Sequence, residues 1–338
     1  MASTTVRVAI NGLGRIGRTV LRAWSLGRAH WPGIEIVALN DIAEPAECAH
    51  LFEYDSVFGP FPGRVAHEPG WIEVNGHRMR LTQVADLSQL DLSDVDVVME
   101  CTGKADSIEM SGRGLAAGAR RVLISGPSPA AEFSVVTGVN EAGLSPAMRV
   151  VSNASCTTNA LAPVLKVLDE AFGVESGFMT TIHCYTGSQP TVDAPRGDPA
   201  RSRAAALSMV PTTTSAGRLV DLVLPHLAGR VRTAAVRVPV ASVSAIDLHL
   251  VTARPPASAG AANAVLREAG GVIGWTDRPL VSSDLRARPE SVVIALPETA
   301  VGAGGLLRVF GWYDNEWGFS CRMLDVAARW GAQTTMKG

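Results

Sequence analysis

One cysteine, Cys156, stands in the run NASCTTNALAPVLKVL (153–168), after a polar stretch and ahead of Leu161, Val164, Leu165, Leu168 and Phe172 at helical spacing. That pattern puts the sulfur at a helix start. Uncompensated N–H groups and the helix dipole favour a thiolate there, and a thiolate is a nucleophile at neutral pH. Cys48, Cys101 and Cys184 fall in stretches that read as helix or strand interior, and Cys321 in the apolar pattern of the last helix; these four read as buried structural thiols. A nucleophilic cysteine needs a base, and seven histidines compete for the part. Spacing does not choose among them. His183 is the best candidate, because it closes the strand-like FMTTIH and opens the polar loop CYTGSQPTVD, placing it at a sheet edge. A hydrogen-bonded structural histidine is the alternative reading.

A second chemistry is written at the start of the chain. VRVAIN reads as a β-branched strand, GLGRIG supplies Gly12, Gly14 and Gly17, and RTVLRAWSLG continues as a helix. In a dinucleotide fold the first glycine permits the tight turn, the second lets a pyrophosphate approach the backbone, and the third lets helix and strand pack closely. The phosphates would rest on the helix N-terminus. IEIVAL (34–39) reads as the next buried strand, with Asp41 just beyond it, where a carboxylate accepts ribose hydroxyls and repels a 2′-phosphate. NAD is therefore favoured over NADP, with an ordinary turn or cap residue as the alternative for Asp41.

These groups need a scaffold. VDVVMECTG (95–103), RRVLIS (120–125) and FSVVTGV (133–139) are further strand candidates, MSGRGLAAGA lies between two of them as a candidate helix, and the alternation predicts a doubly wound, largely parallel α/β sheet. WIEVNGHRMRL (71–81) reads instead as an antiparallel hairpin turning at Asn75-Gly76, an insertion or an edge. With 338 residues, 47% of them hydrophobic and 18% charged, the chain can bury a large core and form two domains. A net charge of −2 gives no global attraction to nucleic acid or anionic membrane. The start lacks the pattern of a secretory signal, and no apolar run reaches membrane-spanning length, so a cytoplasmic location is expected. Five cysteines without a CxxC pair disfavour a disulfide framework and a zinc site, and no metal is expected.

Taken in order, VRVAINGLGRIGR, Asn40-Asp41, YDS (54–56), ECTG (100–103), SNASCTTN (152–159), TTIHCYTGSQ, RAAA, PTTT, AVRVPV and WYDNEWGF (312–319) span essentially the whole chain. In these the sequence resembles the phosphorylating glyceraldehyde-3-phosphate dehydrogenases and the related erythrose-4-phosphate dehydrogenases. The resemblance implies an NAD-binding Rossmann domain over 1–155 and 316–338, and a catalytic α+β domain with a mostly antiparallel sheet over 156–315. The last helix, from about Asn315, would return to the first domain. It implies Cys156 as nucleophile and His183 as base. Asn11, Gly12, Gly14, Arg15, Ile16, Asp41 and Ser125 would hold NAD, and Asn315 would orient the nicotinamide amide. Thr186 and Arg237 would contact the substrate's terminal phosphate, while Ser155, Thr214 and Arg201 would line the site for inorganic phosphate, with Thr157 also among the substrate contacts. A homotetramer acting on a phosphorylated aldehyde and inorganic phosphate is the implied assembly, with no nucleic-acid or membrane partner.

Several positions depart from that family's pattern. Leu13, Phe58 and Ala160 replace a phenylalanine, a histidine and a second cysteine, and Ile294 replaces an acid; the chain is also shortened near 269–274. Around the phosphate sites DPARSRAA brings Pro199 and Ala200 where the family has a leucine and an arginine, and PTTTS puts Ser215 in place of a glycine. Loss of a nearby cation weakens anion binding. The tail DNEWGFSCRMLD leans toward the erythrose-4-phosphate branch, and HCYTGSQ with Thr186 leans toward the glycolytic one. The leading expectation is oxidation of glyceraldehyde 3-phosphate to 1,3-bisphosphoglycerate through a cysteine thioester. The alternatives are an erythrose-4-phosphate dehydrogenase, a paralogue for another phosphorylated aldehyde, and a non-catalytic NAD-binding protein.

Overall fold

The computed structural model describes residues 5–335, and the chain divides into two compact units. One runs through Ala154 and takes up the chain again from Ser320; the other is Ser155–Phe319.

The first unit is built on a sheet whose strands follow the order Phe133–Ser134, Val150–Ser152, Arg121–Ile124, Val97–Glu100, Val6–Asn11, Ile34–Asn40, His77–Thr82, Trp71–Val74, Val65–Glu68. Every pairing from the first of these to His77–Thr82 is parallel. The central strands carry apolar residues on both faces, as a sheet covered by helices on each side requires. The hairpin turns at Asn75 and Gly76, with φ of 50° and 80°, the left-handed pair that a two-residue turn between twisted strands needs. It lies at the sheet edge. The strand expected over 133–139 is cut to two residues, because the Asn140 side chain accepts from Val136 N–H (2.8 Å) and donates to the Ser134 carbonyl (3.0 Å), taking groups a longer ladder would use.

The expected helix within 110–119 is Ile108–Ala116, capped by the Ser107 hydroxyl, which accepts from Met110 N–H. The last helix, Trp317–Thr335, begins two residues later than expected. The Asp314 carboxylate accepts from the N–H groups of Glu316 (3.0 Å) and Trp317 (2.9 Å) and holds that approach as a turn. Its later residues pack into the first unit, where a side chain at Gly331 would collide with Val6.

The second unit carries a sheet in the order Val210–Thr212, Val231–Val238, Val174–Cys184, Ser244–Thr252, Leu307–Tyr313, Val292–Ala295, Ile273–Thr276, with Ala300–Val301 also paired to Leu307–Tyr313. Most pairings are antiparallel; Val174–Cys184 with Val231–Val238 and Ile273–Thr276 with Val292–Ala295 are parallel. The helix Cys156–Phe172 packs against Val174–Cys184, Ser244–Thr252 and Leu307–Tyr313, and against helices Ala216–Val223 and Ala259–Ala269. Leu161, Val164, Leu165 and Leu168 are its fully buried face, each Leu contributing about 2–5 kcal/mol against truncation to Ala. Along Val174–Cys184 the alternation turns Met179, Thr181 and His183 inward and leaves Phe178 and Ile182 exposed. Among the described residues no helix is long and apolar enough to cross a membrane, and no cluster of His, Cys, Asp and Glu is placed to hold a metal ion.

Candidate active site

In the first unit a cleft opens at the carboxyl ends of the parallel strands, lined by Asn11, Gly12, Gly14, Asn40, Asp41, Thr102, Lys104 and Arg113 among others. This is the usual ligand position in such sheets. The three glycines differ in the way the sequence predicts. Gly12 has a φ of 92°, and a side chain there would meet the Thr102 nitrogen at 2.9 Å; one at Gly17 would meet the Gly12 carbonyl oxygen at 1.9 Å. At Gly14 a side chain would meet no atom within 4 Å. Gly14 lines the cleft and precedes the first turn of Arg15–Leu26, which has no side-chain cap; uncapped helix starts suit anions. Asp41 accepts from the N–H groups of Leu13 (2.5 Å) and Ala43 (2.9 Å), the first of which ties its carboxylate to the glycine turn. These residues fit an adenine dinucleotide.

Asn11 stands at the strand end, where its amide donates to Glu100 (2.6 Å) and its oxygen accepts from Asn40 (2.8 Å); Glu100 in turn accepts from the Thr102 hydroxyl. Arg15 pairs with Asp55 and lies over the Phe58 ring, and Ile16 follows it on the first helical turn. Burial alone would push the Asp55 carboxyl up, but the N–H groups of Phe58 and Val57 and the Arg15 guanidinium overturn this and hold it low. Ser125 follows the strand Arg121–Ile124, its N–H bonded to the Glu100 carbonyl.

In the second unit the fold brings Cys156 and His183 together. Ser155 caps the helix by accepting from Thr158 N–H (3.1 Å), which leaves Cys156 as the first helical residue. Its Sγ lies 3.7 Å from His183 Nε2. His183 is 7% exposed, and its Nδ1 lies 2.6 Å from an Arg237 nitrogen and 2.7 Å from the Cys184 carbonyl oxygen. Arg237 sits directly beside His183 in the parallel register of the two strands.

Opposing influences act on the sulfur. A helix start favours a thiolate, yet burial pushes the Cys156 thiol up, and Thr157, Arg237 and the local N–H groups draw it only partly back. Burial, followed by the Arg237 guanidinium, takes the His183 imidazole down to about 4, against the raising effect of the Cys184 carbonyl. Desolvation opposes the dipole at the sulfur and disfavours the charged form of both groups.

Behind the pair stand Tyr313, which the sequence did not single out, and Cys184, one of the thiols read as buried and structural. The Tyr313 hydroxyl meets Thr157 Oγ1 (2.9 Å) and Thr181 Oγ1 (2.8 Å), and its ring stands edge-on to His183. Thr157 is thereby engaged in buried packing next to the nucleophile. The Cys184 thiol, 1% exposed, donates to Asn315 Oδ1 (3.1 Å), which also accepts from Ser244 (3.4 Å), so the Asn315 amide is held in one orientation. Tyr313 lies within WYDNEWGF, but nothing in that run reveals which strands its hydroxyl would join.

The anion-binding candidates are less concentrated. Thr186 shares a hydrogen bond with Ser188 (3.0 Å), Thr214 accepts from Ala216 N–H (3.2 Å), and Arg201 donates to Thr212 (2.7 Å) and Thr213 (2.6 Å). Arg237 is brought to His183 and Arg201 to the PTTT segment.

Comparison with known proteins covers both units. Residues 6–108 match the family profile described as glyceraldehyde 3-phosphate dehydrogenase, NAD binding domain, and residues 155–315 the profile described as glyceraldehyde 3-phosphate dehydrogenase, C-terminal domain. The chain is 48% identical over 334 residues to a glyceraldehyde-3-phosphate dehydrogenase of Xanthobacter flavus, covering 97% of this chain and 99% of that one. It is 47% identical to the enzyme so named from Pseudomonas aeruginosa, over 96% and 97% of the two chains, and 42% identical to glyceraldehyde-3-phosphate dehydrogenase 2 of Bacillus subtilis, over 96% and 97%.

Proposed function

Because the chain belongs to the glyceraldehyde-3-phosphate dehydrogenase family, we propose that it oxidises glyceraldehyde 3-phosphate to 1,3-bisphosphoglycerate through a thioester on Cys156. It is an NAD-dependent dehydrogenase with a Rossmann cofactor domain. The observation that carries the mechanism is the contact of 3.7 Å between Cys156 Sγ and His183 Nε2.

Cys156 attacks the aldehyde carbon as its thiol proton passes to His183; the sulfur–carbon bond forms, the carbonyl π bond opens, and His183 returns the proton to the new alkoxide, giving a hemithioacetal and a neutral imidazole. His183 then takes the hemithioacetal hydroxyl proton as the carbon is oxidised. NAD, held by the Gly12–Gly14 turn and Asp41, supplies the two-electron acceptor when bound. The Cys156 N–H and the protonated His183 stabilise the oxyanions that form on either side of this step. Inorganic phosphate attacks the thioester, the sulfur leaves, and the acyl phosphate keeps the energy that hydrolysis to a free acid would lose. Arg237 and Thr186 contact the substrate's terminal phosphate, and Ser155, Thr157, Thr214 and Arg201 form the region for the attacking phosphate; a guanidinium gives paired donors and threonines give hydroxyls with little bulk.

The test is NADH formation from glyceraldehyde 3-phosphate, run beside erythrose 4-phosphate, each with and without phosphate or arsenate. Strict phosphate dependence with the triose, lost in Cys156→Ser, is the expected result. Activity that persists in Cys156→Ser rejects the thioester, and preference for erythrose 4-phosphate without phosphate dependence replaces the substrate assignment. We also place the protein in the cytoplasm as a homotetramer. Phe178 and Ile182, 48% and 37% exposed on one sheet face, supply an apolar surface for self-association. A sedimentation mass of one subunit would reject the tetramer.

A further inference from the structure

The proposed chemistry leaves the Cys184 thiol unused, although it follows His183 directly in the chain. Three neighbouring strands gather it with two distant residues: Cys184 ends Val174–Cys184, Ser244 begins Ser244–Thr252, and Asn315 lies two residues beyond Leu307–Tyr313. Cys184 Sγ donates to Asn315 Oδ1 at 3.1 Å, and Ser244 Oγ approaches the same oxygen at 3.4 Å. The Ser244 oxygen itself accepts from the Cys184 N–H (3.1 Å), which leaves its own proton for the amide oxygen. Asn315 is 7% exposed. Its Nδ2 has no hydrogen-bond partner among the described residues and is not one of the side-chain atoms sealed from solvent.

A carboxamide has two ends of opposite chemistry, an oxygen that accepts and a nitrogen that donates. Turned over, the Asn315 side chain would set its N–H groups against a hydroxyl that already accepts and a sulfur that accepts only weakly. Burial takes the Cys184 thiol up to about 12, against the lowering effect of Ser244, so it remains an S–H donor at neutral pH. Two donors on one oxygen therefore hold the Asn315 oxygen inward and its nitrogen outward.

We propose that Cys184 is a positioning residue for cofactor recognition: by holding the Asn315 oxygen it leaves only the Asn315 nitrogen to meet the nicotinamide carboxamide, which is then taken by its oxygen. An asparagine free to turn over would pair with either end of that group. The thiol makes the contact selective for a ring substituent that carries an acceptor, whether or not it also carries an amino group. A thiol that only fills space predicts something else, since its loss would weaken every cofactor fragment or none. This inference rests on the expected contact of Asn315 with the nicotinamide amide.

Calorimetric titration of the full-length protein, with no aldehyde present, tests it with three probes. They are NAD, its 3-acetylpyridine analogue, which keeps the carbonyl oxygen and has a methyl in place of the amide nitrogen, and ADP-ribose, which has no pyridine ring. The readout is the ratio of the analogue's Kd to that of NAD. In Cys184→Ala this ratio is expected to rise about fivefold over wild type, the worth of one neutral hydrogen bond, because a turned Asn315 oxygen still accepts from NAD but faces the analogue's carbonyl. Cys184→Ser restores a donor at the same place and should return the ratio to the wild-type value. ADP-ribose should bind all three proteins alike. An unchanged ratio in Cys184→Ala overturns the proposal, as does a ratio that stays high in Cys184→Ser, or an ADP-ribose affinity that falls in step with that of NAD. Asn315→Ala checks the premise separately: if NAD binding is unchanged there, Asn315 does not meet the carboxamide and the inference falls with it. The aldehyde assay above is independent, so a shifted ratio here without NADH formation there discards the substrate assignment and keeps the role of Cys184.

Discussion

The two units build their sites from different materials. The cofactor cleft is made largely of backbone: a left-handed Gly12, a Gly14 with open space beyond it, and a Gly17 pressed against the Gly12 carbonyl. The reacting pair is made of side chains from a helix start and a strand end, and from a neighbouring strand whose arginine meets the imidazole. A backbone site depends on which atoms are missing, and a side-chain site on which charges are desolvated. The first tolerates no added carbon where the chain is crowded; the second tolerates no change in protonation.

Replacing His183 should break the side-chain half most severely. In His183→Gln, kcat for the aldehyde oxidation is expected to fall by about 10²–10⁴, the usual contribution of a positioned general base. The same variant reads out the cost of burying the imidazole. The unfolded chain takes up this proton near 6.5 and the folded protein only near 4, so the unfolded state binds more protons in between. Stability present above pH 6.5 is lost as the pH falls through 4, by about 3 kcal/mol for this group. Urea unfolding at intervals from pH 7 to pH 4 should show that slope in the wild type and a shallower one in His183→Gln; parallel curves would mean the imidazole titrates normally in the fold.

The glycines sharpen the other half. Gly17→Ala should lower unfolding stability by about 1–3 kcal/mol, the range for forced overpacking, because its new carbon would need the space of a backbone oxygen. Gly14→Ala has room in the protein and should stay within about 0.5 kcal/mol of wild type, yet weaken NAD about tenfold, or 1.4 kcal/mol, by occupying the pyrophosphate's path. Calorimetry and NAD titration of the two variants separate these effects. Equal losses of stability would show that the glycines share one structural role.

That contrast also explains what could be read from residues alone. The cofactor turn is contiguous, with strand, glycines and helix in consecutive order, so Gly12, Gly14 and Gly17 could be given separate parts before any coordinates. The helix start at Cys156 was legible for the same reason. His183 could be ranked among seven histidines but not joined to the cysteine, because it lies 27 positions further along the chain and the stretch between carries no record of which groups the fold brings together. Tyr313 was hidden more completely: its partners are 156 and 132 positions away, and an aromatic residue in an apolar strand reads as core. A helix dipole at Cys156 can be inferred from local spacing, whereas the desolvation that opposes it depends on everything packed around the sulfur. The shortened strand at 133–134 had the same kind of cause, a side-chain amide outcompeting a sheet ladder.

Tyr313 works like a strut between two beams. Its hydroxyl is braced on the residue after the nucleophile and on the residue two before the base, so the gap between sulfur and imidazole is set by the interior of the sheet. The loops that carry Pro199, Ala200 and Ser215 take no part in that brace. Their sequence can drift, and with it the choice of which anion is welcomed, while the separation of the two reacting atoms stays where the tyrosine fixes it.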